Sequence, residues 1–154
     1  MNNFDVIVVG GGHAGCEAAH ASARLGSNTL LITMKLDGIG QMSCNPAIGG
    51  IGKSHLAREV DALDGLMCKA ADNASLQSRV LNSSKGAAVR ATRIQTCRDE
   101  YKKYIQREII SHKNIKVLQS TVKSICFSKQ RANGVIIDTG ETINAKCIVL
   151  TAGT

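Results

Sequence analysis

The strongest constraint on the fold is an apolar stretch that runs directly into three spaced glycines. Residues 4–9, FDVIVV, are typical of a buried β-strand, and Gly10, Gly12 and Gly15 follow with the spacing G-x-G-x-x-G. In a dinucleotide-binding turn the first glycine permits a tight bend, the second lets backbone amides approach a pyrophosphate, and the third lets the helix pack closely on its strand. The pattern therefore predicts a phosphate-binding turn.

The residues on both sides of this turn fit the βαβ unit in which the motif works. An alanine-rich helix is predicted from Ala14 to Leu25, and Gly26 is expected to end it. A second strand is predicted at residues 28–33, NTLLIT. The positive end of the helix would then point at a pyrophosphate, although a glycine turn without a ligand is the alternative. A ribose-binding carboxylate is not assigned, because the nearest one, Asp37, lies beyond the strand.

Composition disfavours several classes of protein. The 154 residues suffice for one ordinary domain or part of a larger one, and 44% of them are hydrophobic. The six cysteines form no CxxC pair and no metal-binding spacing, which predicts reduced thiols in a cytoplasmic protein without a metal site. No apolar run approaches the roughly 18 residues of a membrane span, so no membrane partner is expected.

The net charge of +7 is concentrated in one part of the chain. Residues 79–116 hold ten basic and three acidic residues, so the rest of the chain is balanced. A concentrated positive charge is what a polyanionic partner requires, and a solvated helix face is the alternative. Apolar and aromatic residues at three- and four-residue steps predict a helix in this segment that includes Ile94, Cys97, Tyr101, Tyr104, Ile105 and Ile109.

A second glycine-rich stretch, residues 38–54, allows more than one interpretation. Ala47 to Ser54 nearly matches a P-loop, with Ala in place of the first glycine, but the residues before it cannot form the required strand. We therefore favour a loop that packs its backbone against a flat ligand and presents Cys44. A reactive thiol near Lys53 and an inert packing cysteine both remain open for Cys44. The helix that follows is predicted to carry one apolar face, formed by Leu56, Val60, Leu63 and Met67.

Several blocks of the sequence carry a specific resemblance to a known family. They are GGGHAGCEAA at residues 10–19, IGQMSCNPAIGGIGK at 39–53, EVDAL at 59–63, LNSSKG at 81–86 and AVRATR at 88–93. Together they resemble the MnmG (GidA) family of FAD-dependent tRNA-modifying enzymes, and the second and fourth blocks discriminate far better than the glycine fingerprint. Small departures from the family pattern occur at Ser54 and Ala87.

The resemblance and the predicted elements together imply an α/β fold. It is the N-terminal part of a Rossmann-like FAD-binding domain (βαβ) with a helical insertion and a β-meander, so that residues 1–154 form a partial FAD-binding domain. The βαβ unit spans 4–33, the glycine-rich loop and helices span 38–112, and the β-strands span 115–151. Within the last segment, strands are predicted at 115–122, at 134–139 before a turn at Gly140 and Glu141, and from Cys147.

Members of the resembled family are several times longer than this chain. We therefore expect an N-terminal segment, and a truncated gene product, one half of a split protein and a partial recombinant chain all remain open. The alternative functions are an inactive fragment with residual nucleotide or RNA binding, and a related FAD- and folate-dependent tRNA methyltransferase.

The resemblance also implies a function and its partners. Together with the GTPase subunit MnmE, the family adds a carboxymethylaminomethyl group to carbon five of the wobble uridine in certain tRNAs. FAD is the implied cofactor, and the full-length family also uses NADH and methylene-tetrahydrofolate. A homodimer is expected for the full-length form, and DNA is not expected as a partner.

The resemblance assigns candidate residues to three roles. The implied FAD-binding residues are Gly10, Gly11, Gly12, His13, Ala14 and Gly15, with Val122 contacting adenine through its backbone. Cys44 is the candidate catalytic nucleophile, by its family position and its glycine-rich setting, and a structural role beside the flavin is the competing hypothesis. The residues expected to meet tRNA or another anionic substrate are Arg79, Lys85, Arg90 and Arg93.

Overall fold

The computed structural model describes residues 3–42 and 44–153, which divide into two compact units. One unit comprises the chain up to Gly40 together with the chain from Arg107 onward, and the other comprises Gln41–Gln106. In chain order the strands and α-helices are β1 (Asn3–Val9), α1 (His13–Arg24), β2 (Thr29–Thr33), β3 (Ala47–Gly49), α2 (Lys53–Ala62), α3 (Leu66–Asn73), β4 (Ser75–Leu81), β5 (Ala91–Thr96), α4 (Arg98–Ser111), β6 (Ile115–Gln119), β7 (Val122–Ser128), β8 (Arg131–Ile137) and β9 (Thr142–Leu150).

A six-stranded sheet organises the first unit. Its strand order is β6-β2-β1-β9-β8-β7, in which β6, β2, β1 and β9 are parallel while β8 and β7 are antiparallel. Val8 of β1 pairs with Leu31 of β2 and with Val149 of β9. Every residue of β2 is buried, as expected for a central parallel strand covered on both faces. The sheet thereby confirms the predicted α/β fold class.

The core of this unit forms where the parallel strands meet the antiparallel ones. Aliphatic side chains from β1, β2, β8 and β9 make one buried cluster with a single aromatic residue, as the scarcity of aromatic residues in the sequence requires. The buried members of the cluster are Phe4, Ile7, Leu30, Ile32, Val135, Ile137, Ile143 and Ala145. This cluster stabilises the sheet, and the glycine-rich turn between β1 and α1 lies at the carboxyl-terminal edge of that sheet.

Helix α1 begins and ends close to the predicted residues. It spans His13–Arg24, and its buried face carries small side chains such as Ala19 and Ala23. At its end, Gly26 adopts a φ of 95°, and the amide of Ser27 donates to the carbonyl of Ser22 at 3.2 Å. This hydrogen-bond pattern is a Schellman motif, in which glycine accepts the left-handed conformation that ends a helix. The predicted stop at Gly26 is confirmed.

One long predicted strand, 115–122, is wrong in its extent. The structure divides it into β6 and β7, because β6 pairs with β2 whereas β7 pairs with β8. Ser120 stabilises the corner between the two strands, since its amide donates to the Thr33 carbonyl at 2.9 Å and its hydroxyl donates to the Asp138 carboxylate at 2.6 Å. That hydroxyl hydrogen bond also lowers the pKa of Asp138 below its ordinary value.

The second unit contains strands that the predicted helical insertion lacks. Strands β3, β5 and β4 form an antiparallel sheet in that order, against which α2 and α3 pack. The helix predicted to include Ile94 is therefore wrong at its start, because Ile94 lies in β5 and α4 begins only at Arg98. An apolar residue three or four positions before the first apolar residue of a helix fits the helical period, yet it can belong to the preceding strand.

The helix predicted to carry Leu56 through Met67 on one face is also broken in two. Asp64 adopts a φ of 66°, and the amides of Asp64 and Gly65 donate to the carbonyls of Asp61 and Val60 at 2.8 and 3.0 Å. These bonds form a Schellman motif that ends α2 before α3 begins. The predicted apolar face is not continuous either, because the Leu56 and Leu63 side chains are 65% and 74% exposed.

We expect Gly15→Ala to unfold the first unit. A Cβ at this position would lie 1.8 Å from the carbonyl oxygen of Gly10, so α1 would have to move away from its strand. The expected loss in the free energy of unfolding is about 3 kcal/mol or more, the upper range for overpacking. Urea denaturation measures it.

Gly26→Ala is the matched control for Gly15→Ala. Nothing lies within 4 Å of a Cβ at Gly26, and only its positive φ opposes the substitution. That conformation costs roughly 1–2 kcal/mol for alanine. Equal losses in the two variants would contradict the role assigned to the Gly15 contact.

Candidate functional site

A cavity of about 400 Å³ opens at the carboxyl-terminal edge of the parallel strands. Strands β1, β2 and β9 all end there, and the topology of a doubly wound sheet places ligands at such an edge. Its lining residues are Val9, Gly10, Gly11, Gly12, Ile32, Thr33, Met34, Lys35, Gly38, Ser120, Thr121, Val122, Thr151, Ala152 and Gly153. The cavity therefore brings the predicted Gly10, Gly11, Gly12 and Val122 together.

The glycines of the turn are required for different reasons. A Cβ on Gly10, whose φ is 114°, would lie 2.3 Å from the carbonyl oxygen of Thr151. A Cβ on Gly11 would lie 2.8 Å from the hydroxyl oxygen of Thr33. Together with Gly15 these glycines serve the packing of the chain on itself.

Gly12 differs from the other three glycines. Nothing lies within 4 Å of a Cβ built on Gly12, and its φ of −72° suits any residue. The fold itself therefore places no demand for glycine at this position. Gly12 does line the cavity, so the absence of a side chain there keeps space open for a ligand beside the amino-terminal end of α1.

Helix α1 directs an uncompensated positive end toward the turn. It begins at His13, its first turn contains no acidic residue, and no side chain caps it. Partial burial lowers the pKa of His13 below its ordinary value, although the Glu17 carboxylate opposes the shift. His13 is therefore neutral at pH 7, and the attraction for an anion at this end comes from the backbone dipole.

The structure separates the predicted FAD-binding residues by position. His13 and Ala14 are the first two residues of α1, and Gly15 lies against the Gly10 carbonyl beneath the turn. In the described part of the chain, these three are not among the residues that line the cavity. All three lie at the amino-terminal end of α1 beside the turn, and their contact with FAD stays a prediction.

Sequence reasoning did not name Thr151, which lines the cavity just after the end of β9. The hydroxyl of Thr151 donates to the Val9 carbonyl at 2.8 Å, and its amide donates to the same carbonyl at 2.9 Å. These bonds attach the end of β9 to the start of the turn. No local sequence signal marks Thr151, because only the parallel pairing of β9 with β1 brings the residue after each strand to the same edge.

A lysine lies just after β2, where the dinucleotide-binding fingerprint predicts a ribose-binding carboxylate. Lys35 and Met34 line the cavity, whereas Asp37 is not among its lining residues in the described part of the chain. The Thr33 hydroxyl donates to the Lys35 carbonyl at 3.3 Å and so holds this segment at the strand end. Leaving Asp37 unassigned agrees with this geometry, and Lys35 was missed.

A second cavity, of about 410 Å³, lies within the second unit. Its lining residues are Cys44, Asn45, Ala47, Ile48, Gly49, Lys53, Leu56, Ala57, Val60, Met67 and Arg93. The Cys44 side chain is exposed, and the Arg98 guanidinium donates a hydrogen bond to the Cys44 carbonyl. The glycine-rich loop thus presents this thiol beside two cations.

Cys16 shows the opposite environment for a thiol. It is buried in α1, its Sγ donates to the Gly11 carbonyl at 3.3 Å, and burial raises its pKa to about 12. Because the thiolate is the nucleophile, Cys16 is inert at neutral pH.

The P-loop alternative does not agree with the geometry of the second unit. Ala47–Gly49 is a strand, so the residues that would form the phosphate loop are paired in a sheet. The Ser54 hydroxyl donates to the Thr92 carbonyl and accepts from the Gly50 amide at 2.8 Å. In a P-loop this hydroxyl would instead bind Mg²⁺.

The four predicted RNA-binding residues fall on the β4–β5 hairpin. Arg79 and Arg93 are directly opposite each other on the two strands, and Lys85 and Arg90 lie in the connection between them. The Arg90 Nε donates to the Lys85 carbonyl at 3.0 Å. Like charges directly opposite each other on paired strands are destabilising, so this hairpin concentrates positive charge at an energetic cost.

Other kinds of site find no support within residues 3–42 and 44–153. No group of three His, Cys, Asp or Glu side chains in those residues is arranged to hold a metal ion. None of the helices there combines the length and apolar character needed to cross a bilayer.

The sequence and the fold match those of known proteins. The profile of the family described as Glucose inhibited division protein A (GIDA) matches residues 5–154. GidA of Aquifex aeolicus, in two crystal forms, is 43% identical with a TM-score of 0.96, and the match covers 99% of this chain and 25% of that protein. The chain therefore spans about a quarter of the length of these relatives.

More distant structures share the fold alone. The GidA-related protein from Thermus thermophilus is 16% identical with a TM-score of 0.63, and the match covers 97% of this chain and 53% of that one. PqsL, "a probable FAD-dependent monooxygenase" from Pseudomonas aeruginosa, is 15% identical with a TM-score of 0.65, covering 96% of this chain and 42% of that one.

We expect acid to destabilise the first unit through His13. Its pKa is lowered on folding from an ordinary value of 6.5, so below that pH the unfolded chain binds a proton that the folded chain rejects. The free energy of unfolding should therefore fall as the pH decreases from about 7 to 5, by up to roughly 1.4 kcal/mol for each unit of lowering.

Urea denaturation at several pH values checks this expectation. His13→Gln should remove part of the acid sensitivity, whereas His55→Gln, at an exposed position of α2, should leave it unchanged. An identical pH profile for the wild type and His13→Gln would contradict the assignment.

Proposed function

The chain belongs to the GidA family, and from this premise we propose that it binds FAD in the first cavity as part of a tRNA-modifying flavoprotein. The single observation that carries the cofactor assignment is Gly12. The fold does not require glycine there, yet the position lines a cavity at the end of a helix whose positive dipole is uncompensated. A pyrophosphate is the group that uses both features.

The adenosine half of FAD has room along the rest of the cavity. Val122 is half-buried at the start of β7, and its backbone is the proposed contact for adenine. Thr33 and Lys35 lie at the end of β2, where the ribose belongs in this fold. When bound, FAD supplies the redox chemistry, and the residues of the chain bind and orient it.

The specific reaction is proposed from family membership. The protein would act with the GTPase MnmE, as a homodimer, to add a carboxymethylaminomethyl group to carbon five of the wobble uridine of tRNA. NADH would reduce the flavin, and methylene-tetrahydrofolate would supply the one-carbon unit. Because the chain spans a quarter of its relatives, the remaining parts of the machinery would be contributed by sequence beyond these residues.

Cys44 is the proposed nucleophile in this reaction. Addition at carbon five of uridine needs transient activation of the ring, and a thiolate is one group able to provide it. The exposure of Cys44 and the presence of Lys53 and Arg93 in the same cavity favour the reactive thiol over the inert one.

The β4–β5 hairpin is the proposed contact with tRNA. Arg79, Lys85 and Arg90 are exposed, while Arg93 is half-buried. Their arrangement on two strands and one connection presents four cations along one hairpin, which suits neighbouring phosphates of an RNA backbone.

We expect Gly12→Val to lose FAD and keep the fold. The valine side chain would enter the space assigned to the pyrophosphate, and a tenfold or greater weakening corresponds to about 1.4 kcal/mol or more. Flavin absorbance after purification and titration with FAD measure the loss, and circular dichroism measures the fold.

Gly86→Val is the matched control for Gly12→Val. A Cβ on Gly86 also meets nothing within 4 Å, its φ is −57°, and it lies outside the first cavity. This variant should bind FAD like the wild type. Stoichiometric FAD in Gly12→Val would overturn the assignment of the cavity.

We expect the pair Arg90→Ala and Arg93→Ala to weaken tRNA binding and to reduce its salt dependence. The slope of log affinity against log salt should fall by about one unit for each phosphate that the protein no longer neutralises. Filter binding over a range of salt concentrations measures both quantities.

The control for the arginine pair removes two cations from the other unit. Lys123→Ala and Arg131→Ala lie on β7 and β8 and should leave the salt slope unchanged. If the hairpin pair gives the same affinity and slope as this control, the hairpin is a solvated surface.

A further inference from the structure

The second cavity has one charged side and one apolar side. Lys53 and Arg93 contribute its charge, and none of its described lining residues is acidic. The apolar side is formed by Ile48, Leu56, Ala57, Val60 and Met67. A cavity of about 410 Å³ with this division suits a small molecule that carries an anionic group on an apolar body.

Helix α2 adds to the positive potential on the charged side. It begins at Lys53, its first turn holds no acidic residue, and its N-cap, Gly52, supplies no capping side chain. The dipole of α2 and the Lys53 ammonium therefore act in the same direction. The Ser54 hydroxyl holds the Gly50 amide and the Thr92 carbonyl, which fixes the start of the helix against β5.

Arg93 has no acidic register partner on either strand that pairs with β5. On one side its register partner is Arg79, a like charge, and on the other it is Gly49, which has no side chain. Like charges directly opposite on paired strands are unfavourable, and an anion bound to Arg93 would relieve that repulsion. Position 49 cannot supply an acidic partner, because a Cβ there would lie 2.1 Å from the Thr92 carbonyl oxygen.

The apolar side distinguishes among anions. Leu56 lines the cavity although its side chain is 65% exposed, and Val60 and Met67 accompany it. An exposed apolar wall is favourable only when an apolar surface covers it. A guanidinium binds carboxylate and phosphate alike with two parallel hydrogen bonds, so the charged side does not choose between them. The apolar side favours an organic carboxylate, whose body can cover it, over a backbone phosphate of RNA.

We propose that this cavity binds a small organic carboxylate, whose carboxylate is held by Lys53 and Arg93 and whose apolar body lies against α2 and α3 beside the Cys44 thiol. The proposal does not depend on FAD binding, because all the residues that carry it lie in the second unit. It gives Arg93 a role in ligand binding in addition to the tRNA contact proposed for the hairpin.

Alkylation of Cys44 tests the charged side of the cavity. In this reaction the thiolate forms a bond to the CH₂ carbon of the reagent and iodide leaves, so the anionic iodoacetate and the neutral iodoacetamide differ chiefly in charge. The rate ratio of iodoacetate to iodoacetamide should be several-fold higher at Cys44 than at the exposed Cys147, as measured by peptide mass spectrometry. The buried Cys16 provides an unreactive internal reference.

Substitutions identify the cations responsible for this ratio. Lys53→Gln and Arg93→Gln should each lower the ratio at Cys44 several-fold, while Lys85→Gln, an exposed cation outside the cavity, should leave it unchanged. An equal ratio at Cys44 and Cys147, or an equal effect of all three substitutions, would overturn the proposal.

Protection experiments test the ligand itself. Phenylacetate should slow the alkylation of Cys44 by iodoacetamide at millimolar concentration, whereas phenylacetamide, its neutral analogue, should not. Equal protection by the two would show an apolar site without anion recognition, and better protection by inorganic phosphate or tRNA would show a phosphate site. Either result overturns the carboxylate proposal.

Experiments with FAD distinguish a failure of this proposal from a failure of the proposed function. Protection of Cys44 by FAD alone, without phenylacetate, would assign the cavity to the flavin and overturn the carboxylate proposal. The Gly12→Val variant should retain protection by phenylacetate while it loses FAD. Loss of FAD binding with protection intact would leave this proposal standing, and FAD binding without protection by phenylacetate would refute it alone.

Discussion

The close approach of α1 to the turn after β1 is the contact on which the first unit depends. The Gly15 α-carbon lies so near the Gly10 carbonyl that a methyl group on Gly15 would force α1 away from the turn. The same turn is attached to β9 through the Thr151 hydroxyl and amide. One short segment therefore fixes a helix, two strands and the edge of a cavity, and Gly10, Gly11 and Gly15 have little freedom to vary.

Because these contacts are made by one short segment, the part of the fold around it could be predicted from the sequence. The βαβ unit is determined by local signals, namely the apolar run before Gly10, the alanine-rich helix and the glycine after it. The sheet of the second unit gives no such signal, because β4 is exposed along most of its length and resembles a polar loop in sequence. The break at Asp64 was missed because left-handed aspartate is an uncommon end to a helix.

The candidate site divides in the same way. Its glycines are contiguous in sequence, and the motif identified them. Thr151, Ser120 and Lys35 reach the cavity because β9, β6 and β2 run parallel to β1. The pairings of β9 with β1 and of β6 with β2 join residues more than 80 positions apart. Only the order of strands in the sheet reveals which strand ends meet, and single-sequence patterns do not specify that order.

The contrast between Cys16 and Cys44 shows how far the environment decides the chemistry of one residue type. Both cysteines lie within glycine-rich surroundings in sequence, yet the first is buried in a helix with a pKa raised to about 12 and the second is exposed beside Lys53 and Arg93. Burial disfavours the thiolate of Cys16, whereas the Cys44 side chain is open to reagents. The first unit thus presents the positive end of a helix dipole at its cavity, whereas the second unit places side-chain cations and a thiol in one cavity.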